Sequence, residues 1–339
     1  MVLHNICSVG SLMALFGGIL VSLVSVSVMG LWVGVEINFL GAVCYMCGSS
    51  VNEGESVMKY FVVQVLGSCL LILGILMMVN CCFAGLVDLM LLLGVLVKLG
   101  GFPFQFWVPS IMSGLSWSGC FVVSVVQKII ILWLLCNLNI LKMELEVLEV
   151  IASLTCVVGC LGGLGVLSYR VLLGYSSLVH LGFLMILCCV SSSGLWYYLI
   201  FYMILNLGLM GSLWSLKVYS FSDLMKEKKM SELGQIWWVS LYFLSLAGLP
   251  PFSGCVLKIL FLLLCWNFMP LGCIICVLSS VVSLYFYLGV VMNMSIFWGK
   301  GLSLFGDKNE SKYDLVSMLS VSVNLVIGFM AFLCLGLCL

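Results

Sequence analysis

The run Leu92-Leu93-Gly94-Val95-Leu96-Val97-Lys98-Leu99-Gly100-Gly101-Phe102-Pro103-Phe104 sets one lysine into an apolar stretch and then interrupts that stretch. Pro103 has no amide to donate and its ring collides with the preceding turn, while Gly100 and Gly101 let the backbone open, so a helix beginning upstream must break beside its lysine. A second run, Ala247-Gly248-Leu249-Pro250-Pro251-Phe252-Ser253-Gly254, breaks in the same manner and is followed by Lys258. With Pro109, the two regions hold four of the chain's five prolines. Interrupted helices deep in a bilayer are tolerated only where the freed carbonyls and amides meet protein or trapped water.

The surrounding composition puts these breaks in a membrane. Of 339 residues, 64% are apolar and 8% are charged, and the mean hydropathy is +1.31. A soluble domain spends about a quarter of its residues on charge, so this composition excludes a cytosolic enzyme. Thirteen basic against thirteen acidic residues leave no footprint for nucleic acid. The expected fold class is an all-α polytopic membrane protein of about eleven transmembrane helices, at roughly 20 residues per crossing.

Polar and Gly/Pro-marked breaks place the segments near 7–29, 31–48, 57–82, 85–107, 115–137, 146–167, 171–190, 195–217, 235–265, 271–298 and 314–338, with the first boundary near Gly30. If these alternate in direction, Lys59, Arg170, Lys217, Lys226, Lys228, Lys229, Lys300, Lys308 and Lys312 share the side of the N-terminus and Lys142 alone faces the other. That positive-inside bias places the N-terminus on the matrix or cytoplasmic side and the C-terminus outside. The breaks fall in the fourth and ninth segments, which run in opposite directions. Residues 1–339 are therefore expected to form a single transmembrane domain: a first inverted repeat over 1–140, a second over 141–300, and an inner-face loop with an added helix over 301–339.

Four charges lie inside apolar segments: Glu36, Lys98, Lys128 and Lys258. Each costs about 2.5–3.5 kcal/mol at mid-bilayer on insertion scales, and intramembrane ionisable groups by default mark ion pathways. An ammonium in low dielectric releases its proton more readily, and a neighbouring carboxylate restores its hold. Glu36 is the candidate partner of Lys98, and the three lysines the candidate proton relay. Snorkelling to the interface is the bland alternative, strongest for Lys128. A sodium site needs several converging oxygens, which a single carboxylate does not supply.

His180, on a segment with Tyr175, Ser176 and Ser177, has two open readings: an extension of the proton wire, or a polar residue satisfied between helices. Gln64 and Gln127 are expected to hydrogen-bond between helices. Asp88 and Lys59 read as anchors at segment starts, and of Glu144, Glu146 and Glu149 the last is the one placed to enter the membrane. Cys44 and Cys47 imitate a redox pair but lie in an apolar helix, where packing is expected. The glycine-rich Gly159–Gly165 run lacks a preceding strand and reads as close helix packing rather than a phosphate loop. No Cys/His spacing suits a metal, and the N-terminus carries neither a basic stretch nor a cleavage site, so no targeting segment is expected. The scarcity of threonine, glutamine and proline against abundant Val, Gly, Phe and Cys fits a G- and T-rich coding strand of an organelle genome.

Taken in order, Trp32-Val33-Gly34-Val35-Glu36-Ile37-Asn38, Lys59-Tyr60-Phe61, Lys98 through Pro109, Gln127-Lys128, Tyr175-Ser176-Ser177 with His180, and Gly248 through Gly254 resemble the antiporter-like membrane-arm subunits of mitochondrial NADH:ubiquinone oxidoreductase, respiratory complex I. The resemblance covers about residues 31–290, and the short length is that of the animal form. It implies that Glu36 and Lys98 are the family's carboxylate–lysine pair, Lys128 its central relay lysine and Lys258 the lysine of the second broken helix. Gln105, Ser110, Val171 and Gly289 stand where the family often carries histidine, glutamate, lysine and arginine.

The expectation is therefore a proton-translocating subunit in the mitochondrial inner membrane, coupled to redox chemistry elsewhere. Its partners would be the neighbouring antiporter-like and small membrane subunits and the bilayer. It would bind no cofactor itself, since NADH, flavin, iron–sulfur clusters and ubiquinone would belong to other subunits. A free-standing cation/proton antiporter and a mainly structural subunit are the alternatives.

Overall fold

With no water to take up main-chain donors and acceptors, an apolar chain in lipid satisfies its own backbone, and helices do so within one segment. The computed structural model describes residues 2–48, 50–80, 84–138, 142–224, 230–250 and 252–304, with 322, 324–326 and 328–329 near the end. Its described residues are helical apart from turns and one isolated antiparallel bridge between Ser168 and Ser220.

In chain order the helices are α1 (Val2–Val24), α2 (Val28–Met46), α3 (Val51–Val79), α4 (Ala84–Leu99), α5 (Trp107–Met112), α6 (Trp117–Phe121), α7 (Gln127–Asn137), α8 (Lys142–Gly162), α9 (Tyr169–Val190), α10 (Ser192–Leu216), α11 (Phe221–Leu224), α12 (Met230–Ala247), α13 (Ser253–Cys265) and α14 (Pro270–Leu304). Eight described spans are long and apolar enough to cross a membrane, α6 and α7 counting as one. The two expected broken segments appear as α4 with α5 and as α12 with α13. The segment near 314–338 lies largely outside the described residues, as do Pro251 and Lys226, Lys228, Lys229, Lys308 and Lys312.

Several boundaries differ from those expected, each for a local reason. The first break falls at residues 25–27 rather than near Gly30, because the Ser27 hydroxyl caps α2 by accepting from the Gly30 amide. Helix α3 starts at Val51, six residues early, because Ser50 and Glu53 cap each other reciprocally. Lys59 then lies in its third turn, paired with Glu55 at 2.7 Å. Lys142 opens α8 instead of standing ahead of it. Pro109 lies in the first turn of α5, where its missing amide costs nothing. The fifth segment is regular only at its ends, since Val122–Val126 form a π-helical turn between α6 and α7.

Close packing holds the bundle. A Cβ added to Gly18 would stand 2.5 Å from the Asn38 amide nitrogen, and across that α1–α2 contact the Asn38 side chain donates to the Leu15 carbonyl at 2.8 Å. The α6–α7 span and α9 are the most enclosed, each with 83% of an 18-residue stretch buried. Lys128 and His180 sit on these two central spans.

Both broken helices turn on a glycine in left-handed conformation, Gly100 at φ 72° and Gly248 at φ 76°. A side chain at Gly100 would also strike Val108, its Cβ 2.6 Å from Cγ2. Gly100→Ala should therefore cost at least about 1–2 kcal/mol from the backbone alone, and Gly85→Ala, at a site with nothing within 4 Å, should cost nothing comparable. Thermal denaturation of the detergent-solubilised protein checks the difference.

Candidate functional site

At the first break the main chain closes α4 with a paired C-terminal cap. The Gly101 amide donates to the Leu96 carbonyl at 2.9 Å and the Gly100 amide to Val97 at 3.3 Å. Side chains add to this: the Trp107 indole N–H donates a second bond to the Val97 carbonyl and the Gln64 side-chain amide donates to the Lys98 carbonyl, both at 3.1 Å. Gln64 thus makes the interhelical bond expected of it.

Lys98 is 1% exposed, its stem lying where a Cβ on Gly67 would come within 2.6 Å of its Cγ. Its ammonium donates to Glu36 Oε1 at 2.7 Å. The Glu36 side chain keeps 22% exposure against none for the lysine, so the pair is open at the carboxylate end only.

The second break repeats the device. The Gly248 amide donates to Ser245 at 3.0 Å and the Leu249 amide to Leu244 at 3.5 Å, closing α12 as α4 is closed. Lys258 approaches from α13, and its ammonium donates to the Ala247 carbonyl at 2.6 Å. In sequence one lysine precedes its break and the other follows. In space the Lys258 ammonium lies on the last carbonyl of the first half-helix, where the helix dipole favours a cation, whereas the Lys98 ammonium turns to Glu36 of α2.

Lys128 sits in the first turn of α7, directly after the π turn, and is 2% exposed. Its ammonium donates to the Ser177 carbonyl on α9 at 2.6 Å, so it does not snorkel. His180, one turn further along α9, shares a hydrogen bond between Nδ1 and the Tyr198 hydroxyl at 2.8 Å, and its ring centre stands 4.8 Å from that of Tyr202. Both Lys258 and Lys128 act electrostatically on His180. The histidine is therefore satisfied between helices, and among the described residues no hydrogen bond joins it to Lys128 or Lys258. Among the described residues, no direct hydrogen bond joins Lys98 to Lys128.

Other expectations resolve differently. Gln127 is buried, but its Nε2 finds no partner among the described residues. Glu149 does enter the bundle: its carboxylate accepts from the Gly272 amide at 2.5 Å and caps α14. Cys44 and Cys47 are exposed free thiols rather than packed ones, since the helix face carrying them turns outward. Gly159 packs against Val179, and Gly162 against the Tyr175 ring, as expected of close helix contacts.

Sequence reasoning gave no role to Tyr60, Tyr198 or Tyr202. Tyr198, Tyr202 and Asn206 recur every four residues on α10 and are all buried; that polar i, i+4, i+8 stripe was the available signal. Tyr60 gave no such signal, because only the fold brings it beside Glu36.

Residues 25–283 match the family described as NADH:quinone oxidoreductase/Mrp antiporter, transmembrane. A NADH-ubiquinone oxidoreductase chain 2 from Lumbricus terrestris is 30% identical over 279 residues, covering 81% of this chain and 82% of that protein. Among solved structures, a chain of respiratory complex I from Thermus thermophilus superposes with a TM-score of 0.71 at 20% identity, over 91% of this chain and 74% of that one. A chain of the Mrp complex from Dietzia sp. gives 0.73 at 17% identity over 83% of this chain, which spans 59% of its length.

The unequal exposure of the ion pair makes its two truncations unequal. Glu36→Ala strands a fully enclosed ammonium and should cost about 3–5 kcal/mol, whereas Lys98→Ala leaves a carboxylate with some contact beyond the protein and should cost less. Thermal midpoints of the two variants, measured side by side, check the order.

Proposed function

The chain belongs to the NADH:quinone oxidoreductase/Mrp antiporter transmembrane family, and from that premise we propose that its buried lysines carry protons through the membrane arm of an NADH:ubiquinone oxidoreductase. It is an antiporter-like subunit of that enzyme, a multi-pass inner-membrane protein that assembles with other membrane-arm subunits. The observation that carries the relay reading is the placing of Lys98, Lys128 and Lys258 inside the bundle, each ammonium held by an internal oxygen.

Each group has a distinct role in this reading. Glu36 sets whether Lys98 keeps or releases its proton, since a carboxylate at 2.7 Å favours the ammonium. Lys128 holds the centre on a main-chain oxygen, a weaker partner than a carboxylate and so more easily exchanged. His180, on which both Lys128 and Lys258 act electrostatically, is assigned the transfer between them. The matching caps at Gly100 and Gly248 support the inverted repeats proposed for 1–140 and 141–300. Electron transfer, with NADH, flavin, iron–sulfur clusters and ubiquinone, is assigned to other subunits. The charge asymmetry of the loops supports an N-terminus on the matrix side and a C-terminus facing the intermembrane space.

In the assembled enzyme, Lys98→Ala should sustain NADH oxidation while protons moved per electron fall, with Lys128→Ala and Lys258→Ala behaving alike. Proton-to-electron ratios in reconstituted vesicles decide this; wild-type ratios in assembled Lys98→Ala and Lys128→Ala enzymes would sink the relay.

A further inference from the structure

One face of α3 serves the Lys98 break along three successive positions. Gly67 admits the lysine stem, Gln64 caps the lysine's own carbonyl, and Tyr60, one turn earlier, completes the row. Tyr60 is 0% exposed. Its ring is packed 5.9 Å from Phe39 of α2 and 6.0 Å from Trp107 of α5, centre to centre. Phe39 lies one turn from Glu36 on α2, and Trp107 is the residue whose indole caps Val97 beside Lys98. The Tyr60 ring is thus wedged between the element carrying the carboxylate and the element closing the break.

Its hydroxyl, by contrast, is buried with no hydrogen-bond partner among the described residues. An enclosed O–H left unpaired is costly and rare, and such a group asks for an explanation. The Glu36 carboxylate is the charged group acting on it electrostatically. In the arrangement observed, Glu36 is engaged by Lys98, which leaves Tyr60 waiting.

We propose that Tyr60 is the second partner of Glu36, a positioning residue whose hydroxyl donates to the carboxylate when the bond to Lys98 opens. The inference rests on the relay reading above. A carboxylate that let go of Lys98 with no donor nearby would either return at once or take up a proton itself. With the Tyr60 hydroxyl donating, Glu36 stays anionic away from the lysine, and Lys98 is free to hand its proton inward. No bond to hydrogen breaks at Tyr60; its hydroxyl only gains an acceptor.

The test is made in the assembled enzyme with Tyr60→Phe, which removes one oxygen and keeps the ring. The carboxylate band of Glu36 is first identified in infrared difference spectra by its loss in Glu36→Gln. That band should shift in Tyr60→Phe, and coupled proton transfer should slow about 10-fold, the equivalent of one hydrogen bond to a charged group. Phe39→Leu loosens the same packing but leaves the hydroxyl in place, and it should move neither. An unshifted band in Tyr60→Phe with wild-type coupling overturns the inference, and so does a Tyr60→Phe enzyme that fails to assemble while Phe39→Leu assembles. If Glu36→Gln and Lys98→Ala also retain full coupling, it is the relay reading that falls instead.

Discussion

A bilayer interior offers nothing to a bare carbonyl or a bare ammonium, so each must find its complement within the protein. Breaking a helix frees carbonyl oxygens at the end of its first half, and those oxygens, with the dipole behind them, form a site suited to a cation. A buried lysine has the opposite need. At the second break the two difficulties are set against each other, Lys258 lying on the last carbonyl of α12; at the first, Gln64 caps the Lys98 carbonyl and Glu36 takes the ammonium.

The two breaks show how one solution is built from unlike sequences. Gly100-Gly101-Phe102-Pro103 and Gly248-Leu249-Pro250-Pro251 share only glycine, proline and their order. Both nevertheless close with a left-handed glycine and the same pair of amide-to-carbonyl bonds. Lys98, in the last turn of α4, reaches across to Glu36 of α2; Lys258, seven residues past Pro251, reaches the end of α12 by folding α13 back on it. Equivalent chemistry is thus compatible with visible divergence, and the halves need not align residue by residue.

The partners of the charged groups differ in strength, which bears on how a proton would move. Lys98 faces a carboxylate, whereas Lys128 and Lys258 face neutral carbonyls. An ion pair in low dielectric is the tighter hold, so control is concentrated at the Glu36 end. Tyrosines are concentrated at the opposite one: Tyr198 and Tyr202 surround His180. Phenols supply hydrogen bonds without adding charge, which suits a region already holding two cations.

Composition and hydropathy alone made the chain an all-helical membrane protein, because continuous apolar runs of about 20 residues satisfy their backbone in lipid as helices, whereas barrel strands alternate in polarity. Pro103 and the Pro250-Pro251 pair announced the breaks, and Glu36, Lys98, Lys128 and Lys258 announced themselves, since an intramembrane charge is too costly to be idle. Helix starts were read less well where a cap, such as Ser50 with Glu53, carried the helix into polar sequence. What only the tertiary structure decided was the pairing: that Lys128 meets the Ser177 carbonyl, that His180 meets Tyr198, that Glu149 caps α14, and that Tyr60 packs between Phe39 and Trp107. These groups sit on different helices, tens of residues apart, and periodicity within one helix tells which face is buried but not what that face will touch.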